Sequence, residues 1–178
     1  GGLFLYSKRS DLRALIVQEW RVFLIGELLF LTFFSAWLVY RAYDPNITGT
    51  EKPMDLLFLN ASVIAENAPP NDPWLSGHPV AYYYFGYWML GGLSHLAAVP
   101  TSFAFNLSLG LIAGMSSSAT FSLVYSMVRT TNSQMKHGVI AGIISTILLL
   151  VTANLIGLWE IASLRNIASD GFYEWLSI

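Results

Sequence analysis

One apolar stretch decides the fold class: Val22-Phe-Leu-Ile-Gly-Glu-Leu-Leu-Phe-Leu-Thr-Phe-Phe-Ser-Ala-Trp-Leu-Val-Tyr40. As a helix it is long enough to cross roughly 30 Å of hydrocarbon. Three more apolar windows lie at residues 80–99, 103–128 and 137–159. None of them alternates with period two, as the lipid-facing strands of a barrel do. We therefore expect an all-α integral membrane protein with about four transmembrane helices.

The composition agrees with this fold class, because 54% of the residues are hydrophobic and only 11% are charged. A soluble domain carries about 25% charged residues. The chain has no cysteine, which excludes disulfides, thiolate metal sites and a cysteine nucleophile. No Walker loop, dinucleotide glycine pattern or His-Glu-x-x-His motif occurs, which argues against a nucleotide-driven pump or a zincin. No metal site and no nucleic-acid partner is expected, and the cofactor is left unknown.

The chain opens with Gly1-Gly-Leu rather than Met and has no positively charged leader with a cleavage site. We expect the N-terminal membrane portion of a longer polytopic protein, and hence a missing C-terminal part as one partner. Outside the four spans, residues 1–21 form a cytoplasmic or interfacial segment, 42–79 an external loop, and 160–178 an interfacial tail.

Basic residues set the orientation, because they favour the cytoplasmic side of a membrane. Four precede the first span: Lys8, Arg9, Arg13 and Arg21. The loop 42–79 has five acidic residues and one basic residue, Lys52. We therefore expect a cell-membrane protein with a cytoplasmic amino end and an external acidic loop. With four crossings, however, the linker 129–137 also lies outside, despite its Arg129 and Lys136.

An alternative topology concerns the second apolar window, residues 80–99. This segment would dip into the membrane and return without crossing. Its glycines, Gly86, Gly91 and Gly92, would permit the close packing that such a segment needs.

The external loop contains a predicted interfacial helix. Pro53 suits a first helical turn. Leu56, Leu59 and Val63 then recur at near-helical spacing up to Pro69. We expect this helix to hold the loop at the membrane surface.

Glu51 and Asp55 are the candidate catalytic residues. Their spacing of four places both carboxylates on one helical face, near the N-terminus, if the helix begins early enough to include Glu51. A carboxylate at the edge of a low dielectric can be ionised yet poorly hydrated, which suits a general base or a metal ligand. Helix capping and solvation explain the same residues equally well.

Asp72 and the run Tyr82, Tyr83 and Tyr84 are candidate substrate-binding residues. Asp72 precedes a proline, so it also suits an ordinary turn. Tyrosines at a membrane boundary are common as an aromatic girdle. Three consecutive tyrosines nevertheless point around more than half of a helix, so at least one should face protein. Such hydroxyls could bind a sugar or a phosphate.

Arg41 and His78 lie at the same expected depth and complete the candidate binding set. An arginine at a membrane edge is suited to bidentate phosphate binding. An extended arginine that anchors the first span at the interface is the other interpretation. Among residues within the spans, His95 is interpreted as packing and Asn106 as an interhelical hydrogen bond.

Five motifs follow one another through the first half of the chain: Arg41-Ala-Tyr-Asp-Pro45, Gly49-Thr-Glu-Lys-Pro-Met-Asp55, Phe58-Leu-Asn-Ala61, Pro70-Asn-Asp-Pro-Trp-Leu75 and Tyr82-Tyr-Tyr-Phe-Gly-Tyr87. In this order they resemble the YYY-motif polytopic membrane proteins, a family of unsettled function. The resemblance covers about residues 20 to 128 and continues more weakly beyond them. Members of that family are much longer, which implies further polar motifs outside this chain.

The layout is also distantly similar to C-type glycosyltransferases, which take a sugar from a polyprenyl-phosphate donor. This resemblance implies that Glu51 or Asp55 is the base that activates an acceptor hydroxyl. Asp72, His78 and Tyr82 to Tyr84 would then shape a donor or acceptor pocket. The chain lacks the adjacent Asp-Glu pair of many such enzymes, so the identity of the base stays open.

Two functions from different classes remain. The first is glycosyl transfer from a polyprenyl-phosphate donor at the extracytoplasmic face, with membrane lipid and a lipid-linked sugar as partners. The second is a noncatalytic subunit or scaffold that binds other subunits of a membrane complex, either energy-transducing or photosynthetic. A transporter would need charges that converge at mid-depth, and Glu27 alone does not supply them.

Overall fold

The computed structural model describes residues 9–131, 134–152 and 169–175, most of which are helical. Its helices are α1 (Arg9–Gln18), α2 (Trp20–Tyr43), α3 (Lys52–Ile64), α4 (Tyr84–Ala97), α5 (Thr101–Thr131), α6 (Met135–Ile147) and α7 (Asp170–Trp175). A short π-helix, Leu148–Thr152, continues α6. The described residues contain no strand, only an isolated antiparallel bridge between Asn71 and Pro79. The all-α prediction is confirmed.

Three helical segments are long and apolar enough to cross a membrane: α2, α5 and Met135–Thr152. They correspond to the predicted spans at 22–40, 103–128 and 137–159. Residues 153–159, the end of the last predicted span, lie outside the described residues. So does most of the predicted interfacial tail.

The window 80–99 differs from the other three. Its helix α4 has 14 residues, or about 21 Å, which is less than the thickness of the hydrocarbon core. Ala98 ends it in a left-handed conformation with φ 52°. Near the end of α2, Arg41 Nε donates a hydrogen bond of 2.9 Å to Asn106 Oδ1 in the second turn of α5. A full crossing between them would separate these ends by the bilayer, so we propose the alternative topology, in which this segment returns without crossing.

The chain divides into two compact units. Unit 1 combines the chain up to Phe30 with the chain from Met115, and unit 2 is Leu31–Gly114. In unit 1, Phe121 is almost completely buried and lies close to Gly26 and Gly142. Small residues let helices of a membrane protein approach closely, as the glycine-rich sequence of α6 predicts.

Side-chain hydrogen bonds reinforce the packing of unit 1. Ser118 Oγ donates to the carbonyl of Gly26 at 2.9 Å. The hydroxyl of Thr146, fully buried, donates to the carbonyl of Ser117 at 3.3 Å. At one end, Tyr125 donates to Glu19 at 3.0 Å. These bonds satisfy polar groups that the hydrocarbon could not solvate.

Unit 2 contains the predicted loop helix, α3, packed against α4. Pro53 lies in the first turn, where its missing N–H costs no hydrogen bond. Phe58, Leu59, Ala61 and Ser62 form the buried face of α3. Gly91 of α4 meets this face so closely that an added Cβ would lie 3.3 Å from the backbone carbon of Ser62.

Gly142→Ala should destabilise the protein, because the added Cβ would lie 2.7 Å from the Phe121 ring and 3.0 Å from its carbonyl oxygen. We expect the free energy of unfolding to fall by about 1–3 kcal/mol, as in overpacked cores. Thermal unfolding in detergent measures this loss. Gly92→Ala is the control, because a Cβ there meets nothing within 4 Å. Equal melting midpoints for the two variants would contradict the packing described here.

Cysteine labelling should place the whole stretch 44–100 on one side of the membrane. The chain has no native cysteine, so single cysteines can be introduced at the exposed positions Ser76, Ser102 and Gln134. We expect an impermeant maleimide to reach Ser76→Cys and Ser102→Cys from the same side, and Gln134→Cys from the other. Labelling of Ser76→Cys and Ser102→Cys from opposite sides would show that the segment 80–99 crosses the membrane.

Candidate functional site

A hydrogen bond between Asp55 and Tyr87 joins the first turns of α3 and α4. The Tyr87 hydroxyl donates to Asp55 Oδ1 at 2.5 Å. Both side chains are half-buried. Hydrogen bonds to an ionised carboxylate are shorter and stronger than neutral ones. The bond therefore fixes the Asp55 side chain against α4.

The environment makes ionisation of the Tyr87 phenol harder than usual. Burial raises its pKa above the ordinary value, and the hydrogen bond and charge of Asp55 raise it further. Tyr82 and Glu51 act on the Tyr87 pKa in the same direction. Tyr87 is thus a hydrogen-bond donor at neutral pH, and the four residues are electrostatic neighbours.

Beside this bond lies an aromatic cluster made of Phe58, Trp74, Tyr82 and Tyr87. The buried Phe58 ring is its centre, with the other three ring centroids at 5.4, 5.5 and 5.6 Å respectively. Tyr83 extends the cluster, since its ring centroid lies 4.7 Å from that of Tyr82. Trp74 and Tyr83 are largely exposed, so the cluster has both a buried side and an accessible side.

A cleft of about 520 Å³ lies along α3 and the segment that follows it. Its polar lining consists of Asn60, Glu66, Asn67, Asn71 and Asp72, and we call it the polar cleft. Amide and carboxylate groups together can both donate to and accept from hydroxyl groups. Its volume is typical of a small-molecule site.

Asp72 also has a local role, since its Oδ1 accepts the backbone N–H groups of Trp74 and Leu75 at 2.8 and 3.0 Å. The turn interpretation of Asp72 is therefore confirmed, and the residue lines the polar cleft as well. His78 contributes its backbone, whose carbonyl accepts the Asp72 N–H at 2.8 Å. The His78 side chain is exposed.

Arg41 is held inside unit 2 and does not extend to the surface. Only 6% of the residue is exposed. Besides the bond to Asn106, its Nη2 donates to the carbonyl of Asn46 at 3.1 Å. The anchor interpretation is therefore disfavoured for Arg41, and the predicted hydrogen-bonding role of Asn106 is confirmed.

The structure brings only part of the predicted site together. Glu51, Asp55, Tyr82 and Tyr83 lie at or beside the aromatic cluster, whereas Arg41 and His78 have other neighbours. Tyr84 begins α4 and is half-buried. Within the described residues, no group of three or more His, Cys, Asp and Glu side chains could hold a metal ion.

Sequence reasoning missed Phe58 and Tyr87 as site residues. Both could have been found from helical spacing. Phe58 follows Asp55 by three positions and Tyr87 follows Tyr84 by three, so each pair shares a helix face. His95 was interpreted as packing, and its Nε2 lies 2.6 Å from the carbonyl of Val63 at the other end of the α3–α4 contact.

Tyr87→Phe should lower the free energy of unfolding by about 1–2 kcal/mol, because a half-buried carboxylate loses its hydroxyl partner. Thermal unfolding in detergent measures the loss. Tyr83→Phe is the matched control, since Tyr83 is 80% exposed. In combination with Asp55→Asn, the effect of Tyr87→Phe should shrink. Additive losses in the double variant would show that the two side chains are not coupled.

Comparison with the curated proteins and with the solved structures gives no significant match. The sequence model of one family, described as uncharacterized membrane protein (DUF2298), matches residues 1–175. That description agrees with the helices of spanning length, which make this a multi-pass membrane protein. Because the match covers almost the whole chain, the protein belongs to the DUF2298 family of membrane proteins.

Proposed function

We propose that this chain is part of a glycosyltransferase-like enzyme that uses a polyprenyl-phosphate sugar at the extracytoplasmic face. The observation that carries the proposal is the Asp55–Tyr87 hydrogen bond, with Glu51 as an electrostatic neighbour. It supports the proposal because a general base needs a fixed side chain and a second group that orients it. Resemblance to the C-type enzymes supplies the substrate class.

Asp55 is the proposed base. Tyr87 binds its Oδ1, and no hydrogen bond from a described residue goes to Oδ2. Oδ2 can therefore accept a proton from an acceptor hydroxyl placed within hydrogen-bond reach. Glu51 is exposed just before α3 and would bind the acceptor or its neighbouring hydroxyls.

The proposed reaction is an inverting transfer. Asp55 removes the proton of the acceptor hydroxyl while the acceptor oxygen attacks the anomeric carbon of the donor sugar. The bond between this carbon and the phosphate oxygen breaks, and polyprenyl phosphate leaves with the bonding electron pair. One glycosidic bond replaces one glycosyl phosphate bond, and the proton stays on Asp55 until water removes it.

Carbohydrate binding would occur at the polar cleft. The amides of Asn60, Asn67 and Asn71 make no hydrogen bond with other described residues, so they can bind hydroxyl groups. The exposed ring of Trp74 offers an apolar surface at the same segment. Tyr84 and His78 stay predictions as substrate-binding residues.

Asp55→Asn should abolish sugar release or transfer, because the amide cannot take the proton. The assay uses the full-length protein in liposomes with polyprenyl-phosphate glucose, mannose or arabinose, each tritiated in the sugar. Transfer to co-purified acceptors and slow transfer to water are counted together. We expect a loss of at least about 100-fold, the scale of general base catalysis. Glu51→Gln should lower the rate less.

The control for this experiment is Asp44→Asn, because Asp44 is exposed and, among the described residues, its side chain hydrogen-bonds to Asn46 in its own loop and to no other. Equal rates for the wild type and Asp55→Asn would refute the proposed base. If none of the three donors reacts, the enzymatic proposal fails. The alternative, a noncatalytic subunit or scaffold of a membrane complex, is then favoured. Isolation of the protein in a stable complex with other membrane subunits would then test that hypothesis directly.

A further inference from the structure

We infer that Arg41 and the N-terminus of α5 form a binding site for the phosphate group of a membrane lipid. The inference does not depend on catalysis at Asp55. It rests on a buried positive charge, a cavity and a helix end, all within unit 2.

The first step concerns the charge of Arg41. Only 6% of the surface of Arg41 is exposed, so its charged group is largely removed from solvent. Its two protein partners, Asn106 Oδ1 and the carbonyl of Asn46, are uncharged. A buried guanidinium normally has an anionic partner, because desolvation of a lone charge is costly.

The nearest acidic residue in sequence does not supply this partner. Asp44 Oδ1 accepts the side-chain and backbone N–H groups of Asn46, at 3.1 and 3.4 Å. No carboxylate of the described residues lies within ion-pair distance of Arg41. The guanidinium has five N–H groups, of which two are bound to these neutral acceptors.

The second step concerns the cavity that Arg41 lines. It has a volume of about 620 Å³, and no acidic residue occurs among the described residues around it. Ser102 and Phe103, from the first turn of α5, line the same cavity. At this helix end the N–H groups of Phe103 and Ala104 already donate to the carbonyl of Pro100, at 3.0 and 2.9 Å. The N–H group of Ser102 makes no hydrogen bond with other described residues, and the helix end carries a positive partial charge. The guanidinium of Arg41 and the N-terminus of α5 therefore both favour the binding of an anion in this cavity.

The third step identifies the ligand class. Leu38, Ala42, Ile47 and Phe103 give the cavity an apolar side next to its basic side. Both helices that form it are of membrane-spanning length, α2 ending and α5 beginning there. A planar guanidinium binds two phosphate oxygens at once. A phosphate with an attached apolar chain fits both sides of the cavity, whereas free phosphate uses only the basic side.

The test measures binding of 32P-labelled farnesyl phosphate to the full chain in an uncharged maltoside detergent, with protein-free micelles subtracted. We expect Arg41→Gln to weaken binding about tenfold or more, because charge-assisted bonds to phosphate are lost. Lys52→Gln is the control for charge removal in the same unit. It should bind like the wild type.

A second pair of variants covers the case in which Arg41→Gln fails to fold. Ser102 is exposed in the first turn of α5, where an acidic side chain stabilises a helix. Ser102→Asp should therefore fold, with an unchanged or raised melting midpoint, but should repel the phosphate. Ser102→Asn has nearly the same shape without the charge and should retain binding.

Competition separates the two sources of phosphate. Displacement of the label by unlabelled farnesyl phosphate, but not by inorganic phosphate or farnesol, supports a lipid ligand. Displacement by inorganic phosphate at similar concentration supports the same site with free phosphate as its ligand. Displacement by farnesol, or wild-type binding in both Arg41→Gln and Ser102→Asp, overturns the inference. The assay measures binding and no turnover, so its outcome is independent of the rates measured for the proposed catalysis.

Discussion

The contact between α3 and α4 is the constraint on which the candidate site depends. Gly91 lets the backbone of α4 approach Ser62, and this approach brings the first turns of both helices together. Only then can the Tyr87 hydroxyl reach Asp55 and can the Phe58 ring lie between Trp74, Tyr82 and Tyr87. An isolated loop helix would leave Asp55 in water, where a carboxylate has neither fixed orientation nor altered hydration.

Much of the fold could be predicted because hydrophobic length is a strong signal in membrane proteins. The three helices of spanning length lie where apolar windows occur, and α3 has Pro53 in its first turn, as predicted. The window 80–99, in contrast, contains no helix of spanning length. It is apolar enough to cross, but Val80 to Tyr83 belong to the loop and Ala98 ends the helix, so only the residues between them are helical. A hydropathy average over a window of residues does not show where a helix begins and ends.

The site was harder to predict than the fold, because residue type does not determine partners. Asp55 was identified from its position in a first helical turn, but its partner Tyr87 is 32 residues away in sequence. Arg41 was placed at a membrane edge with two interpretations, and only the positions of Asn46 and Asn106 discriminate between them. Long-range pairs of this kind arise from how helices pack, which local spacing does not reveal.

The shortness of α4 has a consequence for the charge balance across the bilayer. If α2 and α5 cross and α4 does not, the linker 129–137 lies on the side opposite to the acidic loop. With the amino end inside, as proposed, Arg129 and Lys136 then join the basic residues before α2 on the cytoplasmic side. Arg129 and Lys136 then no longer conflict with the positive-inside rule, and the external loop keeps its five acidic residues against one lysine.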